Sequence, residues 1–366
     1  MSYLNDLETI CKINSFTKNK EGVDKVGNFM QGWLEELGFE TTTYQRENLG
    51  NHQLFTTPKT EGEKILLLGH NDTVFPPEVF ESFTSDEGWI YGPGVCDMKG
   101  GNIVALESLR NINKNTSIKN IDFLLVSDEE TGSDDSKFVT LELAKNYDYC
   151  FVFEAAGEDL EIVTGRKGVG TYTITCEGKA AHAGTSYLKG INANLEATYK
   201  LQELTKLTNL DIGTTVNVGK ITGGIGANTI SPKCELLLEI RYKQNSERDR
   251  LLKALEDITN TNYVEGTISK LDGLIQRDVM EPNEQQITFI KKLENITNLK
   301  IKTEQRGGVS DANHVASCGV VTLDGFGPFG DGDHTINERA LKSSFDQRIK
   351  MMTDILYSHQ SNKFKF

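Results

Sequence analysis

Two side chains of a kind that can do chemistry, His70 and Asp72, stand just beyond a short apolar segment, Ile65 to Leu68. Such a segment, ended by Gly69, is typical of a buried strand. The two residues are therefore either solvated loop residues or members of a site at the carboxyl edge of a sheet. The pair alone does not decide between these readings, because a single histidine in a loop is more often solvated than bound to a ligand.

Four further loops carry residues of the same chemical types. Two of them follow apolar segments at 121–126 and 149–153, which read as buried strands, and two are rich in glycine. Open α/β sheets bind ligands at the carboxyl ends of their strands, so these side chains are expected to converge. Two histidines and three carboxylates suit a pair of zinc-like ions that share one carboxylate. The residues expected to converge are His70, Asp97, one of the adjacent pair Glu129 and Glu130, Glu154 and His334.

The apolar pattern divides the chain into two kinds of structure. Strands alternate with helices in residues 1–166 and again in 277–366, which predicts an α/β domain with a mostly parallel sheet. In residues 167–276 the predicted order is βαββαβ, the ferredoxin-like arrangement. We therefore expect an α/β domain that is interrupted by an inserted ferredoxin-like domain.

The net charge, the apolar runs and the cysteine spacing limit the partners and the compartment that we expect. The chain has 366 residues and a net charge of −14, which argues against nucleic acid or an anionic membrane as a partner. No apolar run is long enough to span a bilayer, and the first residues lack the basic and apolar segments of a secretory signal. Six cysteines occur without CxxC spacing, so we expect reduced thiols in a cytoplasmic protein.

Seven segments together resemble the M20 zinc metallopeptidases, the aminoacylase/carboxypeptidase family, and most of all their glutamate carboxypeptidase branch. The segments are GHNDTV, YGPGVCDMKGGN, SDEETGS, FEAA, GKAAHAG, GGIGANTISPKCELLLEIR and GDGDHTINE. They occur in order along nearly the whole chain. The resemblance implies a catalytic α/β domain, an inserted lid and dimerisation domain, and two Zn²⁺ ions per chain, with Co²⁺ or Mn²⁺ as substitutes.

The resemblance also implies a role for each residue of the convergent set. His70 and Glu154 match ligands of the first metal, Glu130 and His334 match ligands of the second, and Asp97 matches the bridging carboxylate. These assignments predict a two-metal hydrolase that cleaves an amide bond beside a free carboxylate.

Two neighbours of the ligands match residues that assist them. Asp72 matches the aspartate that orients the first histidine. Glu129 matches the general base, which takes a proton from water and returns it to the leaving amine. Relatives hold the peptide bond after the bridging aspartate in cis, so we expect a cis bond between Asp97 and Met98.

In the inserted domain, His182 matches a histidine that reaches the partner subunit's site and stabilises the oxyanion, which implies a homodimer through this domain. Asn228 matches a residue that contacts the substrate. From their residue types alone, His182 would instead be a surface residue at a strand end and Asn228 a turn residue.

Two further segments match substrate-binding features of the family. Arg277 stands where relatives place an arginine that binds a substrate carboxylate, although Asp278 follows it in place of the usual proline. The loop of Gly308 and Ser310 resembles a glycine loop whose N–H groups favour a carboxylate before a helix. Ser310 could equally be only the N-cap of that helix.

The motifs leave the substrate open. A peptide or an N-acyl amino acid is expected, including one with a C-terminal glutamate, and an N-acyl amino acid deacylase with the same site is the alternative.

A non-catalytic metal-binding descendant is disfavoured because Glu129 and every ligand are present. A nucleotide-binding protein is disfavoured because the glycine-rich loop has the wrong spacing for a phosphate cradle. His52, His314 and His359 match no ligand and are expected to be structural or on the surface.

Overall fold

The structure is a computed structural model that describes residues 2–361 of the chain. Within these residues, no helix combines the length and the apolar character needed to cross a membrane. The strands are β1 Glu40–Tyr44, β2 His52–Thr56, β3 Ile65–His70, β4 Thr84–Ser85, β5 Trp89–Tyr91, β6 Ile121–Val126, β7 Tyr149–Val152, β8 Ile162–Arg166, β9 Gly168–Glu177, β10 Thr215–Gly223, β11 Lys233–Tyr242, β12 Ile268–Arg277, β13 Thr303–Arg306, β14 Val321–Leu323, β15 Gly330–Asp331 and β16 Arg339–Leu341. The helices are α1 Ser2–Cys11, α2 Lys20–Glu35, α3 Lys99–Asn113, α4 Ser136–Ala144, α5 Ala193–Thr205, α6 Asn245–Asn260, α7 Glu284–Thr297, α8 Ala312–Ser317 and α9 Lys342–Gln360.

The chain folds into two compact units. The main unit comprises residues 2–165, 282–306 and 310–361, and the inserted unit comprises residues 166–281 and 307–309. The boundaries expected from the sequence lay at 167 and 276. The division in the structure therefore gives residues 166, 277–281 and 307–309 to the inserted unit.

The main unit is built around a six-stranded sheet in the order β1-β2-β6-β3-β7-β14. Strand β3 pairs in parallel with both β6 and β7, so that Leu67 lies opposite Phe123 on one side and Phe151 on the other. Strand β14 continues the parallel pairing, and β2 and β1 extend the other edge in antiparallel. Every residue of β3 and β6 is buried, as in strands covered on both faces. The predicted mostly parallel sheet is confirmed.

A second, smaller sheet of the main unit has the order β15-β16-β5-β4. Its strands have only two or three residues each, and the apolar pattern of the sequence did not predict them. Strand β16 pairs with β5, with Arg339 opposite Tyr91. This pairing brings the loop after β5 next to the hairpin of β15 and β16, which are far apart in the sequence.

The inserted unit has the order β9, α5, β10, β11, α6, β12 along the chain. Its four strands pair in antiparallel in the order β10-β11-β9-β12. Burial alternates along β9 and β11, because one face of the sheet packs against the apolar sides of α5 and α6. This is the ferredoxin-like arrangement that the sequence predicted.

A buried ion pair lies in the core of the inserted unit. Lys200 and Glu196 are both fully buried one turn apart on α5, with 3.0 Å between the ammonium and a carboxylate oxygen. Lys200 also donates to the carbonyls of Ile258, Thr259 and Thr261 at the end of α6. The other oxygen of Glu196 accepts the N–H groups of the next segment, from Tyr263 and Val264. The pair thus joins α5 to the end of α6.

Replacing Lys200 with Met should lower the free energy of unfolding by about 3–5 kcal/mol, because Glu196 would remain buried without its positive partner. Denaturant unfolding followed by circular dichroism measures this. Lys206→Met is the matched control, since Lys206 is exposed and pairs with half-buried Glu203 on the same helix surface. The control should change stability by less than about 0.5 kcal/mol. Equal effects of the two substitutions would contradict a stabilising role of the buried pair of Lys200 and Glu196.

Candidate metal centre

The main unit brings the five expected ligands together. Asp97 lies between two histidines, with one carboxylate oxygen 3.2 Å from Nε2 of His70 and the other 3.3 Å from Nε2 of His334. The same nitrogen of His334 is 3.1 Å from Glu130, and Nε2 of His70 is 3.9 Å from Glu154. Donor atoms of His70, Asp97 and Glu130 all lie within 4.8 Å of one another.

Strand register explains why these residues meet. In the parallel pairing of β3 with β6, His70 lies opposite Val126, so the loop that begins at residue 127 starts beside the histidine. Glu130 lies in a 3₁₀ turn of that loop, and Glu154 follows the end of β7, the other neighbour of β3. The small sheet then supplies Asp97 from the loop after β5 and His334 from the β15–β16 hairpin.

Burial and neighbouring charges set the protonation of the cluster. Burial raises the pKa of Glu154 well above its ordinary value and that of Glu130 to about 8, and the charge of Asp97 adds to both shifts. Burial also acts to raise the pKa of Asp97, but hydrogen bonds with His334 and His70 prevail and lower it.

The histidines shift in the opposite sense to Asp97. Hydrogen bonds to Asp97 and then Glu130 raise the pKa of His334 to about 11. Burial alone would lower the pKa of His70, but its bonds with Asp72 and Asp97 raise it well above the ordinary value. The clustered carboxylates therefore strongly stabilise positive charge on the two histidines. Imidazole nitrogens and carboxylate oxygens in this arrangement fit a pair of divalent transition-metal ions that share Asp97.

Asp72 holds two of the loops that carry these groups. Its carboxylate accepts the N–H groups of Glu129 at 3.3 Å and of Glu130 at 3.2 Å, and the hydroxyl of Thr17 at 2.7 Å. Nδ1 of His70 lies 3.0 Å from the carbonyl oxygen of Asp72 and 3.4 Å from its carboxylate. Both are acceptors, so they hold a proton on Nδ1 and leave Nε2 facing the cluster.

Three further features lie next to the expected ligands: Glu129, the peptide bond after Asp97, and Cys96. Glu129 is half-buried in the 3₁₀ turn, one residue before Glu130. The peptide bond between Asp97 and Met98 is cis, as expected. The Cys96 thiol donates to Glu338, and burial raises its pKa well above the ordinary value.

Sequence reasoning missed Glu338. This residue is 1 % exposed and accepts the backbone N–H groups of Gly94, Cys96 and Asp97. Burial raises its pKa to about 7. The available signal was its place four residues after His334 in the segment GDGDHTINE, whose glutamate had no assigned role.

His52, His314 and His359 are all buried, so the surface alternative was wrong for them, and the structural alternative stays the prediction. His359 lies 2.9 Å from the carbonyl oxygen of Glu63, and His314 is on α8. His52 lies between Asp135, at 3.0 Å, and Ser127, at 2.9 Å. This serine–histidine–aspartate order does not form a nucleophilic triad, because Ser127 is fully buried and donates to Gly50.

In the inserted unit, His182 and Asn228 are exposed and lie on adjoining segments. The N–H of Ala183 donates to the carbonyl of Asn228 at 2.9 Å. Nδ1 of His182 accepts the N–H groups of Gly184 and Thr185 at 3.1 and 3.2 Å. Because Nδ1 accepts both bonds, the proton of the neutral ring is on Nε2, which can act as a donor.

The other candidates for substrate binding stay predictions, and the structure gives their surroundings. Arg277 is at the end of β12 and only 3 % exposed, and Asp278 accepts a hydrogen bond from Tyr242 at 3.1 Å. The carbonyl of Gly308 accepts from Arg166 at 3.3 Å.

Ser310 is 1 % exposed. Its hydroxyl donates to Asp324 at 2.8 Å and accepts the N–H of Ala312 at 3.2 Å. This favours the structural alternative for Ser310. The helix that follows, α8, has six residues and so offers little dipole to an anion.

Comparison with known proteins agrees with this geometry. Residues 164–267 match the M20 peptidase dimerisation domain. The chain contains an M20 dimerisation domain. Over 345 residues it is 27 % identical to carboxypeptidase G2 of Pseudomonas sp. (strain RS-16), covering 90 % of this chain and 82 % of the relative. The predicted relationship to the M20 peptidases is confirmed by this domain and by the homology to carboxypeptidase G2.

Two solved structures share the fold of this M20 homologue. Aminopeptidase PepT of Bacillus cereus matches with a TM-score of 0.81 and 20 % identity over 97 % of both chains. A protein of Bacillus subtilis described as a dinuclear metal binding peptidase from the M20 family matches with a TM-score of 0.71 and 12 % identity over 98 % of both chains. At these identities the likeness concerns the fold.

Replacing Asp72 with Asn should weaken metal binding by about 10- to 100-fold, because the new amide group would face N–H and hydroxyl donors and no longer fix the backbone of Glu129 and Glu130. Competition with a chromogenic chelator measures the affinity. Asp122→Asn is the control, since Asp122 is also buried but lies on β6 and accepts from Thr57 and Tyr147. The control should lower stability without changing metal affinity. Wild-type affinity in Asp72→Asn would count against the role of Asp72.

Proposed function

We propose that this chain is a two-metal carboxypeptidase of the glutamate carboxypeptidase type, which hydrolyses an amide bond beside a free carboxylate. The observation that carries the proposal is the position of Asp97, which directs one oxygen toward His70 and the other toward His334. A carboxylate that faces two histidines in this way can be shared by two ions. The relationship to carboxypeptidase G2 supports the same reaction class.

The residues of the main unit would divide between two ions. His70 and Glu154 would hold one, Glu130 and His334 would hold the other, and Asp97 would be shared. Two zinc ions, when bound, supply Lewis acidity toward the amide carbonyl and lower the pKa of a water molecule.

Glu129 would act as the general base. Its carboxylate takes a proton from the attacking water, the oxygen of that water bonds to the amide carbon, and the C–N bond then breaks. Glu129 returns the proton to the leaving nitrogen, so that a carboxylic acid and an amine are formed. The hydrogen bond that the N–H of Glu129 donates to Asp72 supports this role, because it fixes the backbone of the base relative to His70.

The inserted unit would complete the site in a homodimer. His182 is exposed, and its ring presents Nε2–H as a donor, which suits a group that stabilises an oxyanion in the partner subunit's site. Asn228, held beside it through Ala183, would contact the substrate. The match to a dimerisation domain supports this arrangement.

The same proposal includes the cellular compartment of the enzyme, which we infer to be the cytoplasm. All six cysteines are free thiols, and five of them are buried. Thiols that remain unpaired are typical of a reducing compartment, which supports a cytoplasmic enzyme.

Replacing Glu129 with Gln should reduce hydrolysis by at least about 10²-fold, since the amide cannot take a proton from water. The assay is a panel of peptidyl, N-acetyl and N-succinyl amino acids, which also separates a carboxypeptidase from a deacylase. Metal content by mass spectrometry should remain about two ions per chain in this variant. Glu142→Gln, at an exposed position of α4, is the control and should keep full activity. Full activity in Glu129→Gln would overturn the mechanism.

Mixed dimers test the role of His182. His182→Ala and Glu129→Gln chains should each be inactive, yet mixing them should restore roughly a quarter of wild-type activity. This follows because about half of randomly formed dimers are mixed, and each of these holds one complete site of two. Activity is measured after dissociation and re-association of the subunits. A mixture as inactive as its components would show that His182 does not act across the dimer.

A further inference from the structure

The buried carboxylate of Glu338 contacts the loop that carries Asp97. One oxygen accepts the N–H of Gly94 at 2.9 Å, and the other accepts those of Cys96 at 3.0 Å and Asp97 at 3.1 Å. The thiol of Cys96 also donates to it, at 3.4 Å. All of these partners are donors, and three of them are backbone groups within four residues of one another.

Glu338 connects this loop to the segment that carries His334. It follows His334 by four residues and directly precedes β16. Its own carbonyl oxygen accepts the N–H of Gly92 at 3.3 Å. The pairing of β16 with β5 anchors the start of the Asp97 loop, and the Glu338 side chain extends that attachment as far as Asp97 itself. One residue thus joins the segments that supply the shared carboxylate and the second histidine.

The free-energy cost of burying a carboxylate indicates that Glu338 has a specific role and does not merely fill space. A buried carboxylate loses its hydration, so it is stable only where hydrogen bonds replace that hydration. Here the N–H groups of the Asp97 loop replace it, and in return the loop backbone is fixed. A loop fixed before a cation binds loses less conformational entropy on binding.

We propose that Glu338 is a positioning residue that fixes Asp97 in the orientation required to share its carboxylate between two metal ions. This inference rests on the proposed two-metal function. Both oxygens of Glu338 accept backbone N–H groups, so Glu338 acts through the backbone of Asp97 and not as a ligand.

Glu338→Gln tests the role of the carboxylate at nearly constant volume. Glutamine presents one NH₂ group to a site where every partner is a donor, so at least one backbone bond is lost. We expect metal affinity to fall by about 10- to 100-fold. The visible spectrum of the Co²⁺-substituted variant should also change, because the geometry of the shared ligand relaxes.

Glu196→Gln is the matched control, because Glu196 is also fully buried and accepts two backbone N–H groups, but in the inserted unit. It should lower thermal stability and leave metal affinity and the Co²⁺ spectrum unchanged. If Glu338→Gln behaves like this control, Glu338 is merely structural and the inference is overturned.

Amide exchange in the metal-free wild-type chain tests the inference without a variant, and it decides the matter if Glu338→Gln does not fold. Hydrogen–deuterium exchange by mass spectrometry should show slow exchange of peptides covering residues 92–97 before any metal is added. Exchange as fast as in an unstructured peptide would mean that Glu338 does not hold this loop. If the wild-type chain binds no metal, the proposed function fails. If it binds two ions and Glu338→Gln binds them equally well, only the present inference fails.

Discussion

The structure of the main unit depends on holding three carboxylates close together at a buried site, where the loss of hydration makes their negative charge unfavourable. Asp97, Glu130 and Glu154 would repel one another there, and the raised pKa values of Glu130 and Glu154 reflect first their loss of hydration and then the charge of Asp97. Asp97 stays ionised because a histidine lies against each of its oxygens. The same arrangement that makes the cluster unfavourable for protein groups alone makes it suitable for divalent cations.

A second set of carboxylates keeps this cluster in place through backbone groups. Asp72 accepts the N–H groups of Glu129 and Glu130, and Glu338 accepts that of Asp97. Each of these bonds fixes the main chain from which a cluster residue projects. Apart from His70, which ends β3, the expected ligands lie in loops or turns, yet the backbone of Glu130 and Asp97 is held by buried side chains from other segments of the same unit.

The inserted unit is stabilised independently, by its own apolar core and by the buried pair of Lys200 and Glu196. Its exposed groups of interest, His182 and Asn228, belong to segments held together by backbone hydrogen bonds. Exposed groups on a unit with its own core suit the proposed contact with a partner subunit. Residues 164–267, which match that domain, fall almost entirely within the inserted unit.

The sequence by itself determined the main elements and the convergent set of residues. Apolar periodicity marked β3, β6 and β7, and the residues that follow parallel strands must share one edge of the sheet, so His70, Glu130 and Glu154 could be placed together. Only the tertiary structure decided how Asp97 and His334 join them, because the strands that bring these two together have two or three residues and leave no periodic signal. It also decided that Glu338 binds the Asp97 loop and that Ser310 is bonded to Asp324. These contacts depend on the register of distant segments, and the residue type of a glutamate or serine does not reveal which backbone or side chain it will meet.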